Sequence, residues 1–250
     1  MIDTHSHIDM LENPDKSIKE SIEAGVEHII LPSSSPDNFQ NVIELSRSYD
    51  CISGALGVHP EDVLKFDNAV SKDIFNLIKQ NDKIIAIGEI GLDYYWDKTN
   101  KEKQKDIFKC QLEIAKTLDF PVLIHDREAH LDTYEILKSF EMKKVIMHCF
   151  SGSVDFAKEC IKEGWYLGIG GVVTFKNAKK MKEVVKDIPL ENIVLETDAP
   201  YLAPHPFRGE ENSPVYLKFI AKEIANIKDT TFDCVDKITT QNAKRFFNLK

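Results

Sequence analysis

The chain lacks the features of a small stapled protein, a membrane protein or a duplex-wrapping protein. Its five cysteines, at positions 51, 110, 149, 160 and 234, are odd in number and include no C-x-x-C pair. That argues against a disulfide framework or a cysteine zinc site and for reduced thiols in a cytoplasmic protein. No stretch approaches the ~20 apolar residues of a membrane span. The opening Met-Ile-Asp-Thr-His carries neither a basic nor an apolar leader segment, so no secretory signal and no membrane partner are expected. Basic residues are outnumbered 32 to 41, a net charge of −9, which argues against a basic surface gripping a long duplex. An enzyme that meets phosphates through bound divalent ions remains compatible with that balance. No G-x-S-x-G supports serine chemistry, and no glycine fingerprint for a dinucleotide follows the first apolar run.

What the chain does have is alternation. Short apolar, β-branched runs are followed by polar amphipathic stretches, with no linker or low-complexity tract between them. Strands are predicted near 1–7, 28–33, 51–58, 84–90, 121–126, 144–149, 166–172 and 193–198. Helices are predicted near 14–24, 37–48, 69–81, 100–118, 128–140, 153–163, 178–187, 214–227 and 232–247. Ser35, Asn68 and Ser153 sit where helix caps belong, and Gly25 and Gly164 where helices stop. Eight units averaging about 27 residues predict a single α/β domain over residues 1–250, a (β/α)8 TIM barrel. A doubly wound open sheet is the alternative.

The chemistry sits at the strand ends. His5 and His7 are two apart, and side chains at that spacing in a strand share a face. Glu89 follows Ile84-Ile85-Ala86-Ile87-Gly88, His125 follows Val122-Leu123-Ile124, and His148 follows Val145-Ile146-Met147. Asp198 follows Ile193-Val194-Leu195-Glu196-Thr197. Any one of these histidines reads as well as a hydrogen-bonded core residue; all six positions together do not. In a barrel such ends meet on one face. Four imidazoles and two carboxylates are too many for one catalytic ion and suit two divalent ions. The expected ligand sets are His5, His7, Glu89 and Asp198 for one ion and Glu89, His125 and His148 for the other, with Glu89 as the bridge. Zinc or manganese fits such mixed donors, and magnesium less well. Such a pair would acidify a bridging water and polarise the scissile group, with Asp198 taking the water's proton. Asp3 and Glu196 have the strand parity to orient the ligands.

These segments resemble the TatD family of metal-dependent deoxyribonucleases in the amidohydrolase superfamily. The matching stretches are Asp3-Thr-His-Ser-His-Ile-Asp9, Gly57-Val-His-Pro60, Gly88-Glu-Ile-Gly-Leu-Asp-Tyr94 and His125-Asp-Arg-Glu-Ala129. They continue with His148-Cys-Phe-Ser-Gly-Ser153, Glu196-Thr-Asp-Ala-Pro-Tyr-Leu-Ala-Pro204, Arg208-Gly, Asn212-Ser-Pro214 and Gln241-Asn-Ala-Lys-Arg-Phe-Phe247. The resemblance covers the whole chain. It implies a TIM barrel, two metal ions and phosphodiester hydrolysis by 3′→5′ exonuclease action on DNA, with a nucleic-acid strand end as substrate. It also places His59 at the rim as a catalytic substrate contact or proton donor. Arg127, which shares parity with His125, would hold a phosphate oxygen, and Arg208 and Asn212 would close the site from the segment after the last strand. Asp126 departs from the family pattern, in which a small hydroxyl residue is common, and puts an extra negative charge beside His125.

Tyr94, Tyr95, Trp96 and Tyr201 follow the fourth and eighth strands and would either stack on a terminal base or pack the loops. Lys98, Lys101, Lys103 and Lys105 form a local basic patch. Cys149 reads as core, and His28 and His130 as outside the site. The rival reading is a metal-dependent carbonyl hydrolase (esterase, lactonase or amidase) on the same barrel, which fold and ligands alone do not separate from a phosphodiesterase. A binding protein with structural metals is disfavoured, because such sites are closed and cysteine-rich.

Overall fold

The computed structural model describes residues 1–250. The strands are β1 Ile2–Asp3, β2 His28–Pro32, β3 Ile52–Leu56, β4 Ile84–Asp93, β5 Val122–Arg127, β6 Val145–Met147, β7 Tyr166–Ile169 and β8 Ile193–Leu195. The helices are α1 Pro14–Glu23, α2 Phe39–Ser48, α3 Asn68–Gln80, α4 Lys101–Leu118, α5 His130–Ser139, α6 Val154–Lys162, α7 Lys179–Asp187, α8 Leu217–Lys228 and α9 Phe232–Phe247. All eight strands belong to one sheet in the order β1 to β8. Beyond the regular ladder β1 and β8 also meet: Thr4 N–H donates to the Leu195 carbonyl and Asp198 N–H to that of His5, both at 2.9 Å. This is the single-domain (β/α)8 barrel expected from the alternation of the sequence.

Contacts fall into two groups, Met1–Leu31 with Cys149–Lys250, and Pro32–His148. In the first, Ile2, Ile29, Leu167, Val194 and Leu195 are buried, and α8 and α9 pack on each other and on β8. Asn242 on α9 donates to the carbonyls of Leu190 (2.7 Å) and Ile193 (2.8 Å), which fixes the start of β8. In the second group the core comes from Ile87, Ile90, Phe108, Leu112 and Leu123, all fully buried. Here α4 lies along β4, and two of its buried glutamines, two turns apart, reach the loops that carry chemistry. Gln111 clamps both backbone groups of Val58, at 2.7 and 3.0 Å. Gln104 clamps both of Asp93, each at 2.9 Å. An apolar core accepts these amides only because every donor and acceptor finds a partner.

Most helix ends follow their local signals. Ser35 and Ser153 cap the turns that follow them, and Gly25 and Gly164 adopt φ of +92° and +86° just after α1 and α6. The cap of α3 is Asp67, not Asn68: its Oδ1 accepts from Ala69 N–H at 2.8 Å and Val70 N–H at 2.9 Å. Strand lengths differ more. The predicted strand 1–7 is regular only over Ile2–Asp3, 193–198 only over Ile193–Leu195, and β4 runs on to Asp93.

Candidate metal centre

Each predicted ligand stands at or just beyond the C-terminal half of its own strand. His5 and His7 follow β1, past the reach of simple strand alternation; His7 immediately precedes the short turn Ile8–Met10 and makes no side-chain cap to it. The two rings still converge, with Nε2 atoms 3.3 Å apart. Two nitrogen ligands about 2.1 Å from one ion in tetrahedral geometry lie ~3.4 Å apart, so this pair matches a shared ion. His7 Nε2 lies 3.9 Å from Asp198 Oδ1, too long for a hydrogen bond and within the span of two ligands on a common ion. Asp198 takes φ of +58°, a left-handed conformation that aspartate tolerates better than most residues.

Behind these groups lies a buried carboxylate scaffold. Asp3 accepts from the Thr197 hydroxyl (2.5 Å), Thr197 N–H (2.9 Å) and His5 N–H (3.3 Å), so one side chain ties the β1 and β8 ends together. Burial pushes its carboxyl up to about 7, against the lowering pull of the Thr197 hydrogen bonds. Glu196 is fully buried and accepts Cys149 N–H at 2.6 Å. A Cβ on Gly168 would lie 2.2 Å from its Oε2, so only glycine leaves room for that carboxylate. Cys149, read as core, is half-buried at φ +42°.

The second group has Glu89 at its centre. Glu89 Oε1 lies 2.7 Å from His125 Nδ1, 3.7 Å from His59 Nε2 and 3.8 Å from His148 Nε2. Three imidazoles thus face one carboxylate oxygen, the arrangement of a cation site. Glu89 lies within β4 and not at its end, because β4 continues four residues further. His125 Nε2 lies 2.9 Å from Asp93 Oδ2. Burial favours neutral imidazole there, yet the Asp93 and Glu89 carboxylates outweigh it and push His125 up to about 9. Asp93 received no role from sequence, although it shares strand parity with Glu89, and that was the available signal. Its carboxyl is held below the usual range: burial opposes, and the His125 hydrogen bond with the Trp96 and Tyr95 amides prevails.

His59 begins the turn Pro60–Lys65, and its Nδ1 accepts Glu61 N–H at 3.2 Å. A neutral ring therefore carries its proton on Nε2, the atom turned toward Glu89. Arg127 is exposed and lies over Tyr95, its guanidinium carbon 4.1 Å from that ring's centroid. Arg208, also exposed, lies 4.4 Å over Phe175. Asn212 is fully buried and commits its amide to the carbonyls of Thr197 (2.7 Å) and Tyr201 (2.5 Å). That geometry makes it a staple of the loop after β8, with its amide protons spent inside the protein. Asp126 is buried and pairs at 2.7 Å with Nδ1 of His130, the first residue of α5. Adjacent strand residues point to opposite faces, so its charge is turned away from the face that His125 serves. Tyr94 is buried and donates to Asp132 at 2.6 Å, whereas Tyr95 and Trp96 are exposed and meet edge to face at 4.8 Å, with the Arg127 guanidinium over Tyr95. Lys105 leaves the predicted basic patch: it is tied to Asp132 at 2.8 Å.

The donor set fits divalent ions. It combines neutral-capable imidazoles with carboxylates and spaces the His5–His7, His7–Asp198 and His148–Glu89 atoms as ligand pairs, while the 2.7 Å His125–Glu89 contact is a hydrogen bond. No helix of the chain is long and apolar enough to cross a membrane.

Comparison with known proteins covers the chain as a whole. The family model described as "TatD related DNase" matches residues 2–248. The uncharacterized metal-dependent hydrolase YabD of Bacillus subtilis is 43% identical over 258 residues, covering 100% of this chain and 99% of that protein. The crystal structure of YjjV, a TatD homologue from Escherichia coli K12, is similar with a TM-score of 0.96 and 30% identity, covering 100% and 98% of the two chains. A TatD-family hydrolase from Entamoeba histolytica shares the fold, with a TM-score of 0.89 at 23% identity over 100% and 98% of the chains.

Proposed function

The chain belongs to the TatD-related DNase family, and from that premise we propose that it is a two-metal phosphodiesterase, a 3′→5′ exonuclease acting on DNA strand ends. The observation that carries the reading is Glu89 Oε1 with three imidazole nitrogens between 2.7 and 3.8 Å of it. In this reading His5, His7, Glu89 and Asp198 hold one ion and Glu89, His125 and His148 the other. Ions held there would supply Lewis acidity and a lowered water pKa. The remaining work falls to the chain's own side chains. A carboxylate oxygen of Asp198 takes the proton of the attacking water. His59 offers its Nε2–H to a phosphoryl oxygen, since its Nδ1 is already engaged by Glu61 N–H. Asp93 and Asp3 hold the ligand-bearing segments in place, and the Arg127 guanidinium meets a non-bridging oxygen.

The test uses metal-stripped protein with manganese, magnesium or zinc restored separately. Substrates are a single-stranded DNA with a free 3′ end, an aryl ester and a lactone. The expected result is stepwise shortening of the DNA that requires metal and falls at least a hundredfold in Asp198→Asn. Ester or lactone turnover with intact DNA would overturn the phosphodiester reading and move the function to a carbonyl hydrolase.

A further inference from the structure

We propose that Tyr95, Trp96 and Arg127 form a platform on which an unpaired nucleobase stacks, selecting single-stranded ends over duplex. The inference rests on the phosphodiesterase reading and names the substrate feature that site would recognise.

Trp96 is 63% exposed and Tyr95 44%, two adjacent aromatic side chains that leave ring surface open to solvent. Their rings stand nearly perpendicular at 4.8 Å, and the Arg127 guanidinium lies 4.1 Å over Tyr95 and 5.4 Å from Trp96. An arginine stacked by its face keeps its N–H edge free for a phosphate oxygen. Lys98, two residues after Trp96, is exposed as well. Aromatic faces next to cations, in a chain of net charge −9, fit a short polyanion with accessible base faces.

The platform is also built to a fixed position. Asp93 Oδ1 accepts the backbone N–H of both Tyr95 and Trp96 at 2.8 Å, while its Oδ2 lies 2.9 Å from His125 Nε2. One carboxylate therefore sets the aromatic pair at a constant offset from a candidate metal ligand. Gln104 holds Asp93 itself. A base can lie on such a surface only when it has left its helical stack, which duplex ends resist.

The chain's other tryptophan, Trp165, is fully buried, so ligand quenching of tryptophan emission reports Trp96. The ion-restored protein is titrated with a cleavage-resistant phosphorothioate oligothymidylate, the matching blunt duplex, an abasic strand of equal length and an acidic peptide. Oligothymidylate should quench and saturate, with duplex and abasic strand about tenfold weaker. By anisotropy of a labelled strand, Trp96→Ala should weaken oligothymidylate about tenfold, and Trp96→Phe should restore most of it. Equal binding of abasic strand and oligothymidylate, equal quenching by the peptide, or an unaffected Trp96→Ala would overturn the platform. Turnover of methyl p-nitrophenyl phosphate by the wild-type protein tests the phosphodiester reading separately. Turnover without base-dependent binding sinks the platform alone. Base-dependent binding without turnover keeps the platform and sinks the reading.

Discussion

His125 lies between two carboxylates, Nδ1 at 2.7 Å from Glu89 and Nε2 at 2.9 Å from Asp93, and its proton is correspondingly hard to remove. Ligation needs a neutral imidazole, so an ion that binds here must displace that proton. With His125 raised to about 9 in the metal-free chain, metal affinity should climb by up to about tenfold per pH unit from pH 6 and level off near 9. The stability sign is opposite. A histidine raised above its unfolded value stabilises the metal-free fold fully below about pH 6.5, and that contribution drains away as pH rises through 9. Metal-free protein should therefore lose melting temperature between pH 7 and 9, and metal-loaded protein should not. Calorimetric metal titration across pH 6–9 in buffers of different ionisation enthalpy reads the released proton directly. An affinity independent of pH would contradict the carboxylate clamp.

At the scale of elements, β4 and β5 come close enough to make one glycine obligatory. Gly91 pairs with His125 at φ +148°, and a Cβ there would lie 1.9 Å from the His125 carbonyl oxygen. Gly25 also has positive φ, +92°, but its Cβ would meet nothing within 4 Å. Gly91→Ala should thus cost well over 3 kcal/mol and strip the protein of bound metal, because the strands must part where His125 sits. Gly25→Ala should cost only about 1 kcal/mol, the conformational term alone. Melting curves with metal analysis compare the two; equal losses would refute the close-approach argument. The same strands show what the sequence could and could not tell. Glu89, His125 and His148 stand out as polar groups that follow apolar runs, Asp198 as an acid three residues after the end of Ile193-Val194-Leu195, and His5 and His7 by their i, i+2 spacing. The predicted strand 1–7 overshoots because Thr4 and Ser6 keep donating to Leu195 and Ile30 after regular pairing ends. Apolar patterning registers such bonding without registering where the ladder breaks. Gln104 and Gln111 escaped notice because a buried amide is justified only by its partners, and Val58 is 53 residues from Gln111. Asn212 looked available to a substrate for the same reason: its acceptors Thr197 and Tyr201 become neighbours only in the folded loop.

For the whole molecule the issue is how a chain with 41 acidic and 32 basic residues would hold the polyanion that the proposed function requires. Part of its positive charge is spent locally. Lys65 pairs with Asp37 and Asp62, Lys105 with Asp132, Lys144 with Asp119, Lys158 with Asp187 and Lys182 with Glu223. Cations already facing carboxylates release few counterions from a nucleic acid, and the remaining acidic surface repels a long strand. Contact should be confined to two or three phosphates at a strand end, held by bound ions, Arg127 and the nearby exposed lysines. Each phosphate neutralised on a single strand contributes roughly −0.7 to the slope of log affinity against log salt. Oligothymidylate binding should accordingly follow a slope of about −2 between 50 and 300 mM salt, unchanged when the oligomer is lengthened from ten to thirty nucleotides. Anisotropy titrations measure it. A slope near −7, or one that steepens with length, would mean that an extended surface carries the strand and that confinement to the strand end is wrong.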